Sequence, residues 1–258
     1  MPKVLAAAAT AAAVSLVAAT PASATQTIYV EQATMNTTFQ ANISGVGAVY
    51  SNGVTFRVND LGTAATYNYA DYYIYGFCID IFHQITINTT LNYTYTSTYG
   101  DSDQPLYTNY GPTAPDNELS DAQILAITNL VDTGWLLHQA DPSGADTLMR
   151  TAAIQAAIWQ VANPTRTVTV RNNNLDAGQY AQYQSYFNDY VAGNYTVLAD
   201  ANDRVYTITD QGNPAHQTFA IGWPIDGVPE PGTWALMILG FGAAGAMLRR
   251  QRKIAAAA

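Results

Sequence analysis

The sequence predicts an α+β protein, in which a β-rich domain of sandwich-like or barrel-like form carries an inserted helical subdomain. From residue 27 to residue 110, apolar and polar side chains alternate with the period of two that half-buried strands show. Residues 120–191 instead combine helix-capping signals with apolar positions spaced three and four apart. The strand pattern returns over residues 204–223. Helices inserted into a mostly β chain indicate an α+β domain rather than an alternating βαβ array.

Turn signals and alternation predict the strands of the first half. Residues 48–50 and 54–58 flank an Asn52-Gly53 step, a strong hairpin signal, and they are predicted to pair with each other. Residues 72–87 predict one or two strands, and residues 91–96 alternate in the same way. In the 72–87 segment two faces are expected, one formed by Phe77, Ile79 and Ile81 and the other by Cys78, Asp80 and Phe82.

Three helices are predicted in the second half. The first begins at a capping box, Ser120-Asp121-Ala122-Gln123, and is expected to end near Gly134. The second runs from about residue 146 to residue 161 and stops before a proline. A short strand at 168–170 separates it from a tyrosine-rich third helix over residues 176–191.

The N-terminus carries an export signal. Residues 1–24 contain one lysine, then an Ala/Val/Leu run, and close on Ala22-Ser23-Ala24, the small-residue pattern of a signal-peptide cleavage site. The mature protein is therefore expected to begin at Thr25, with one domain over residues 25–227.

The C-terminal tail, residues 228–258, has three parts. Pro229-Glu230-Pro231 is followed by an uncharged apolar run at 234–248 and a basic cluster at 249–253. The run is shorter than the roughly 20 residues that cross a bilayer comfortably, and the basic cluster is expected to stay in the cytoplasm. This tail resembles the PEP-CTERM sorting signal of Gram-negative bacteria.

The PEP-CTERM resemblance implies a route to the cell surface. In that family a membrane transpeptidase, exosortase, recognises the tail and is expected to cut it. The protein would then be held in the inner membrane through residues 234–248 before processing, and reach the cell surface or extracellular matrix of a Gram-negative bacterium afterwards. A permanent C-terminal anchor is the alternative, and it differs only in whether the tail is removed.

The body of the chain is acidic and free of lysine. Five arginines stand against eighteen Asp and Glu residues between positions 25 and 227. This balance argues against nucleic acid or anionic lipid as a partner. No group of His, Cys and acidic residues has the spacing of a zinc site, and the sequence contains no EF-hand loop and no phosphate-binding loop. The sequence therefore predicts no metal and no cofactor.

Gln155 stands alone in an apolar helical segment, and Cys78 is the only cysteine of the chain. A helix that is apolar on every side is buried, and an unpaired carboxamide there costs a few kcal/mol. A lone cysteine cannot form an intrachain disulfide, and a buried one is usually inert. A thiol delivered to this carboxamide could instead expel ammonia and leave a Cys78–Gln155 thioester.

Three residues are supporting candidates for this chemistry. Asp80 is expected on the Cys78 face of its strand, His83 lies five residues after Cys78, and Trp159 lies one helical turn after Gln155.

Two segments resemble the signatures of thioester domains, best known from Gram-positive surface adhesins. Gly76-Phe77-Cys78-Ile79-Asp80 resembles the cysteine signature, and residues 153–159 resemble the Thr-Gln-x-Ala-Ile-Trp signature, with Ile154 in place of the threonine. The resemblance covers about residues 70–165. It implies a fold in which a β-rich subdomain and a helical insertion meet at the Cys–Gln bond.

The expected function is covalent attachment. A surface amine that reaches the thioester would displace Cys78 and become joined to Gln155 by an amide bond, which suits adhesion or matrix attachment. Bond formation is autocatalytic and capture is a single turnover, so the protein is not expected to be an enzyme. The lysine-free body offers no internal side-chain amine to destroy the bond.

Two other functions stay open on the sequence. Ten tyrosines between residues 67 and 110 suit sheet packing, but they also suit a non-covalent matrix protein that associates with extracellular polysaccharide. A cysteine hydrolase would need His83, His138 or His216 as its base.

Overall fold

The computed structural model describes residues 25–59, 72–83, 86–99, 118–196, 198, 206–210 and 216–222. All of them belong to one compact unit that spans Ser23–Ile225. The predicted signal peptide, residues 100–117 and the whole C-terminal tail lie outside the described residues. The domain boundaries at 24/25 and 227/228 remain predictions.

The described chain is a mixture of antiparallel strands and three helices. The strands are β1 (Thr25–Met35), β2 (Gln40–Ile43), β3 (Gly47–Tyr50), β4 (Val54–Asn59), β5 (Tyr72–Cys78), β6 (Thr89–Tyr99), β7 (Val168–Arg171), β8 (Tyr206–Asp210) and β9 (His216–Gly222). The helices are α1 (Asp121–Ala140), α2 (Ala145–Ala162) and α3 (Ala177–Val191). The expected combination of antiparallel sheet and helix is confirmed.

Nine strands form two separate sheets within the described residues. Six pair in the order β1-β4-β5-β9-β8-β6, and β6 pairs in turn with β1. The other three form a small sheet in the order β3-β2-β7. All the ladders are antiparallel.

The predicted hairpin between β3 and β4 is wrong. These two strands belong to different sheets, and residues 51–53 carry the chain from one sheet to the other. Ser51 and Asn52 are buried there and bond to α2: Ser51 Oγ donates to the Ala152 carbonyl at 2.7 Å, and Asn52 Nδ2 donates to the Leu148 carbonyl at 3.2 Å. The Asn-Gly step therefore serves tertiary packing instead of a two-residue turn.

Gly53 is required by a close approach. A Cβ atom at this position would lie 2.2 Å from the Tyr75 ring. The glycine that suggested a tight turn in the sequence instead leaves space for a core side chain of β5.

Two element ends differ from expectation. Strand β5 stops at Cys78, so Ile79, Asp80 and Ile81 follow the strand and do not continue its alternation. Helix α1 begins at the predicted capping box but continues through Gly134 to Ala140. A Cβ atom at position 134 would lie 2.4 Å from Phe77 Cζ, so this glycine lets α1 pass close to β5 rather than ending the helix.

Helices α2 and α3 have nearly the predicted limits. Every residue from Thr151 to Trp159 is buried, as expected for a helix segment that is apolar on all sides. Helix α2 therefore forms the centre of the helical part, with contacts to α1, α3, β5 and β7.

Candidate functional site

The candidate site lies where the middle of α2 meets the end of β5. The four alanines of α2 that flank Gln155 are fully buried, and their small side chains leave room for close neighbours. Gln155 itself has no solvent exposure, and Cys78 is 5 % exposed. The fold thus brings together two residues that are 77 positions apart in the chain.

The Gln155 carboxamide is paired with the backbone of Cys78. Its Oε1 accepts a hydrogen bond from the Cys78 N–H at 2.8 Å, and its Nε2 donates one to the Cys78 carbonyl at 2.7 Å. The two bonds satisfy a buried carboxamide that had no evident partner in the sequence, and its partner is the backbone of Cys78.

Sheet geometry explains why the Cys78 backbone is free for this role. The β4–β5 ladder ends at the pair Val54–Gly76, two residues before Cys78. On the opposite side of the chain, β9 continues to pair, and the Ile79 N–H donates to the Thr218 carbonyl at 3.0 Å. Beyond Gly76, the Gln155 side chain therefore takes the hydrogen-bonding position that a continued β4 would occupy.

The Cys78 thiol is held in its neutral form. Burial raises the pKa of this thiol well above its usual range, and the negative charge of Asp80 raises the pKa further. A hydrogen bond with the backbone acts in the opposite direction but is the smallest of the three effects. A sulphur in this environment keeps its proton at neutral pH.

Asp80 and His83 form a hydrogen-bonded pair just after Cys78. Asp80 is fully buried, and its Oδ2 lies 2.5 Å from His83 Nδ1. Its other oxygen accepts from the backbone N–H groups of Phe82 at 2.7 Å and His83 at 3.3 Å. Asp80 was expected on a strand, but it lies two residues beyond the end of β5 and acts on the thiol through its charge.

The other candidate side chains lie apart from this pair. His138 stacks on Tyr75, with ring centroids 3.8 Å apart and planes at 3°. Burial lowers the pKa of His138. His216 begins β9, but its side chain lies outside the described residues. Trp159 is buried, and within the described part of the chain its Nε1 has no hydrogen-bond partner.

A surface cavity of about 480 Å³ is found elsewhere on the helical part. It is lined by Arg150, Tyr186, Asp189, Tyr190, Asn194, Tyr195 and Thr196. Neither Cys78 nor Gln155 contributes to it. In the described ranges, no three His, Cys, Asp or Glu side chains are grouped so that they could hold a metal ion.

The sorting residues Pro229, Glu230 and Pro231 and the apolar run at 234–248 lie outside the described residues. Among the helices that the structure does describe, none combines the length and the hydropathy that crossing a membrane requires.

Comparison with solved structures finds two thioester domains. One is the N-terminal thioester domain of a surface protein from Clostridium perfringens, with 10 % identity and a TM-score of 0.41, covering 65 % of this chain and 86 % of that one. The other is the N-terminal thioester domain of the fibronectin-binding protein SfbI from Streptococcus pyogenes, with 13 % identity and a TM-score of 0.42, covering 71 % of this chain and 92 % of that one. No curated protein matches the sequence.

A family model provides the remaining comparison. The PEP-CTERM protein-sorting motif matches residues 227–253, which include the Pro229-Glu230-Pro231 step, the apolar run and the basic cluster. This motif implies processing by an exosortase. The chain is therefore a carrier of the PEP-CTERM sorting motif, and the motif implies an exported, surface-associated protein.

Proposed function

We propose that Cys78 and Gln155 form an internal thioester through which this exported protein attaches covalently to an amine outside the cell. The observation that carries the proposal is the paired hydrogen bonding between the Gln155 carboxamide and the Cys78 backbone at 2.8 and 2.7 Å. It holds the electrophilic carbon of one residue against the residue that bears the only thiol of the chain. The β-rich part and the helical insertion meet at this point.

One of these hydrogen bonds would also stabilise the charge that develops during the reaction. When the Cys78 sulphur attacks the Gln155 carboxamide carbon, negative charge develops on Oε1. The Cys78 N–H already donates to that oxygen at 2.8 Å, so it would stabilise the tetrahedral intermediate. A carbon–sulphur bond forms, the carbon–nitrogen bond breaks, and the thiol proton leaves with the nitrogen as ammonia.

The product would be an acyl donor in a dry environment. Gln155 has no solvent exposure, so bulk water has little access to the bond. The body of the chain has no lysine that could react with it internally. An amine from another molecule would form an amide with Gln155 and release Cys78 as a thiol. Because this event occurs once per molecule, the activity is covalent binding and not turnover.

The biological role that fits is adhesion or matrix attachment at the surface of a Gram-negative cell. The sorting motif supports surface association. The acidic body, with eighteen acidic residues against five arginines, favours a partner that carries exposed amines.

A non-covalent matrix protein is the second candidate, and the same hydrogen bonds favour it. They satisfy the buried carboxamide without any reaction, so Cys78 and Gln155 could serve packing alone. The cysteine-hydrolase alternative is weaker, because a buried thiol with a raised pKa is poorly suited to repeated nucleophilic attack.

Mass spectrometry of the purified full-length protein tests the proposal. We expect the intact mass to be one ammonia below the sequence mass, after allowing for any removal of terminal segments. Methylamine should add once, at Gln155, which trypsin releases in the peptide 151–166. Gln160 lies in the same peptide and is the internal control that should stay unmodified.

The Cys78→Ala variant is the matched chemical control. It should retain the ammonia and take up no methylamine, because the nucleophile is absent. A wild-type protein that shows the full sequence mass and no methylamine uptake would favour the matrix candidate. Resistance of the folded protein to thiol alkylation does not discriminate, because a buried Cys78 with a raised pKa resists alkylation with or without the bond.

A further inference from the structure

The proposed bond requires a proton transfer in each direction. Its formation moves one proton from the Cys78 sulphur to the departing Gln155 nitrogen. Capture of an amine moves one proton from the attacking nitrogen to the departing sulphur. The two reactions are the same exchange run in opposite directions, so one proton carrier beside Cys78 would serve both.

The structure places an acid–base pair directly after the nucleophile. His83 Nδ1 lies 2.5 Å from Asp80 Oδ2, and the His83 ring is 13 % exposed. Asp80 is fully buried, and its charge acts on the Cys78 thiol. A carboxylate that holds one ring nitrogen of a histidine orients the ring and leaves the second nitrogen for proton transfer.

The segment that contains Asp80 and His83 is hydrogen-bonded to β9. The N–H groups of Ile79 and Asp80 both donate to the Thr218 carbonyl, at 3.0 and 3.4 Å. The Gln217 side chain donates to the Asp80 carbonyl at 2.9 Å. The turn that bears Asp80 and His83 is therefore held in a defined conformation relative to the end of β5.

The other histidine whose side chain is described does not meet these conditions. His138 lies on α1, stacks on the Tyr75 ring, and has no acidic partner at ion-pair distance within the described residues. Tyr75 lies three residues before Cys78, so the alternation of β5 points its side chain to the opposite face of the strand.

On the basis of the proposed function, we propose that His83, oriented by Asp80, carries the proton between the Cys78 sulphur and the nitrogen in both bond formation and amine capture. In formation, His83 takes the thiol proton and delivers it to the leaving nitrogen, which departs as ammonia. In capture, it takes a proton from the attacking amine and delivers it to the departing sulphur. Asp80 is a positioning residue, since it holds the His83 ring.

The rate at which the full-length protein captures methylamine, followed by intact mass, tests this role. General acid–base assistance is worth about 10²–10⁴-fold, so His83→Gln is expected to slow both the loss of ammonia and the capture of methylamine by about 10²-fold or more, and capture is measured on the molecules that have already lost ammonia. Glutamine retains a neutral hydrogen-bond donor of similar size but cannot exchange a proton. His138→Gln is the matched control and should capture at the wild-type rate. Asp80→Asn should fall between the two.

The pH profile separates proton transfer from a structural role. After correction for the free-amine fraction, the wild-type rate should show a further inflection with pH, because only neutral His83 can accept a proton from the amine. The His83→Gln profile should lack this inflection. Within the described residues, the other charged or titratable groups placed around His83 are Asp80, Cys78 and Arg166, whose guanidinium lies 5.0 Å from the ring centroid of the adjacent Phe82. All three remain in the variant, so a lost inflection belongs to His83.

The outcomes are distinguishable. A wild-type protein without the ammonia loss would overturn the proposed function and this proposal with it. A wild-type protein that captures methylamine, together with a His83→Gln variant that captures it equally fast, would overturn only the proton carrier. A slow variant that keeps the wild-type inflection would also overturn it, because the loss would then be structural.

Discussion

Replacement of Gln155 by glutamate tests the burial and hydrogen bonding of the site without relying on the bond. The substitution should be made in the Cys78→Ala background, so that no thioester contributes to stability. Position 155 has no solvent exposure and pairs with one backbone donor and one backbone acceptor. A protonated glutamic acid can reproduce both hydrogen bonds, since its carbonyl accepts and its hydroxyl donates. A carboxylate loses the donor and places a charge beside the Cys78 carbonyl.

The magnitude follows from the pKa of the buried acid. Full burial raises the pKa of a carboxyl group by about 3–5 units, which puts the folded-state pKa of the introduced side chain near or above 7, against about 4.3 in the unfolded chain. Below pH 4 the group is protonated in both the folded and the unfolded state. The variant and its parent should then have nearly the same free energy of unfolding. Each pH unit between the unfolded-state pKa and the solution pH lowers the free energy of unfolding by about 1.4 kcal/mol. The roughly 2.7 units between 4.3 and 7 therefore lower the free energy of unfolding of the variant by about 3.7 kcal/mol at pH 7.

Urea denaturation at pH 4 and pH 7 measures this effect, with the Cys78→Ala parent as the reference at each pH. The matched control is Gln160→Glu on the same helix. Gln160 also bonds two backbone groups, the Arg166 carbonyl at 2.9 Å and the Val168 N–H at 2.9 Å, but it is partly exposed. The Gln160→Glu variant should show a smaller and less pH-dependent loss in the free energy of unfolding. An equal loss for Gln155→Glu at both pH values, or no loss, would refute the buried pairing.

Three further predictions concern packing and processing. Gly134→Ala should lower the free energy of unfolding by about 1–2 kcal/mol, because overpacking against Phe77 outweighs the gain in helix propensity; a more stable variant in urea denaturation would contradict the 2.4 Å approach. Ser51→Ala should cost about 1 kcal/mol through loss of the 2.7 Å bond to the Ala152 carbonyl, whereas Ser143→Ala in an exposed turn should change stability by less than about 0.5 kcal/mol; equal effects would remove the role given to Ser51. Mature surface protein from its own host should lack residues 234–258 by intact mass, with the cut near residues 229–233, and a retained C-terminus would leave the permanent anchor.

Local sequence signals predicted the helices better than the strand pairing. The capping box at Ser120 and the helix start at Asp176 depend on contacts within three residues, so the sequence alone located both. The extension of α1 through Gly134 could not be predicted, because the glycine is required by Phe77, which lies 57 positions earlier in the chain. The Asn52-Gly53 step failed as a turn signal for the same reason: its side-chain and space requirements come from α2 and Tyr75.

The candidate site was only partly predictable from the sequence. The single cysteine and the lone glutamine in an apolar helix indicated which two residues to compare. The partner of the carboxamide was not predictable, since it is the backbone of Cys78 and not a side chain. The proton-bearing state of the thiol also depends on burial and on the charge of Asp80, both of which arise only in the folded chain.

The sequence by itself determined the sorting motif, the lysine-free acidic body and the apolar character of the second helix, because each is a property of composition or of neighbouring residues. Tertiary structure decided that β4 stops pairing two residues before Cys78 and that the Gln155 side chain occupies the position beyond it. The physical reason is that a buried carboxamide and a backbone without a strand neighbour each need hydrogen bonds that water cannot supply. Only the folded chain brings the two together.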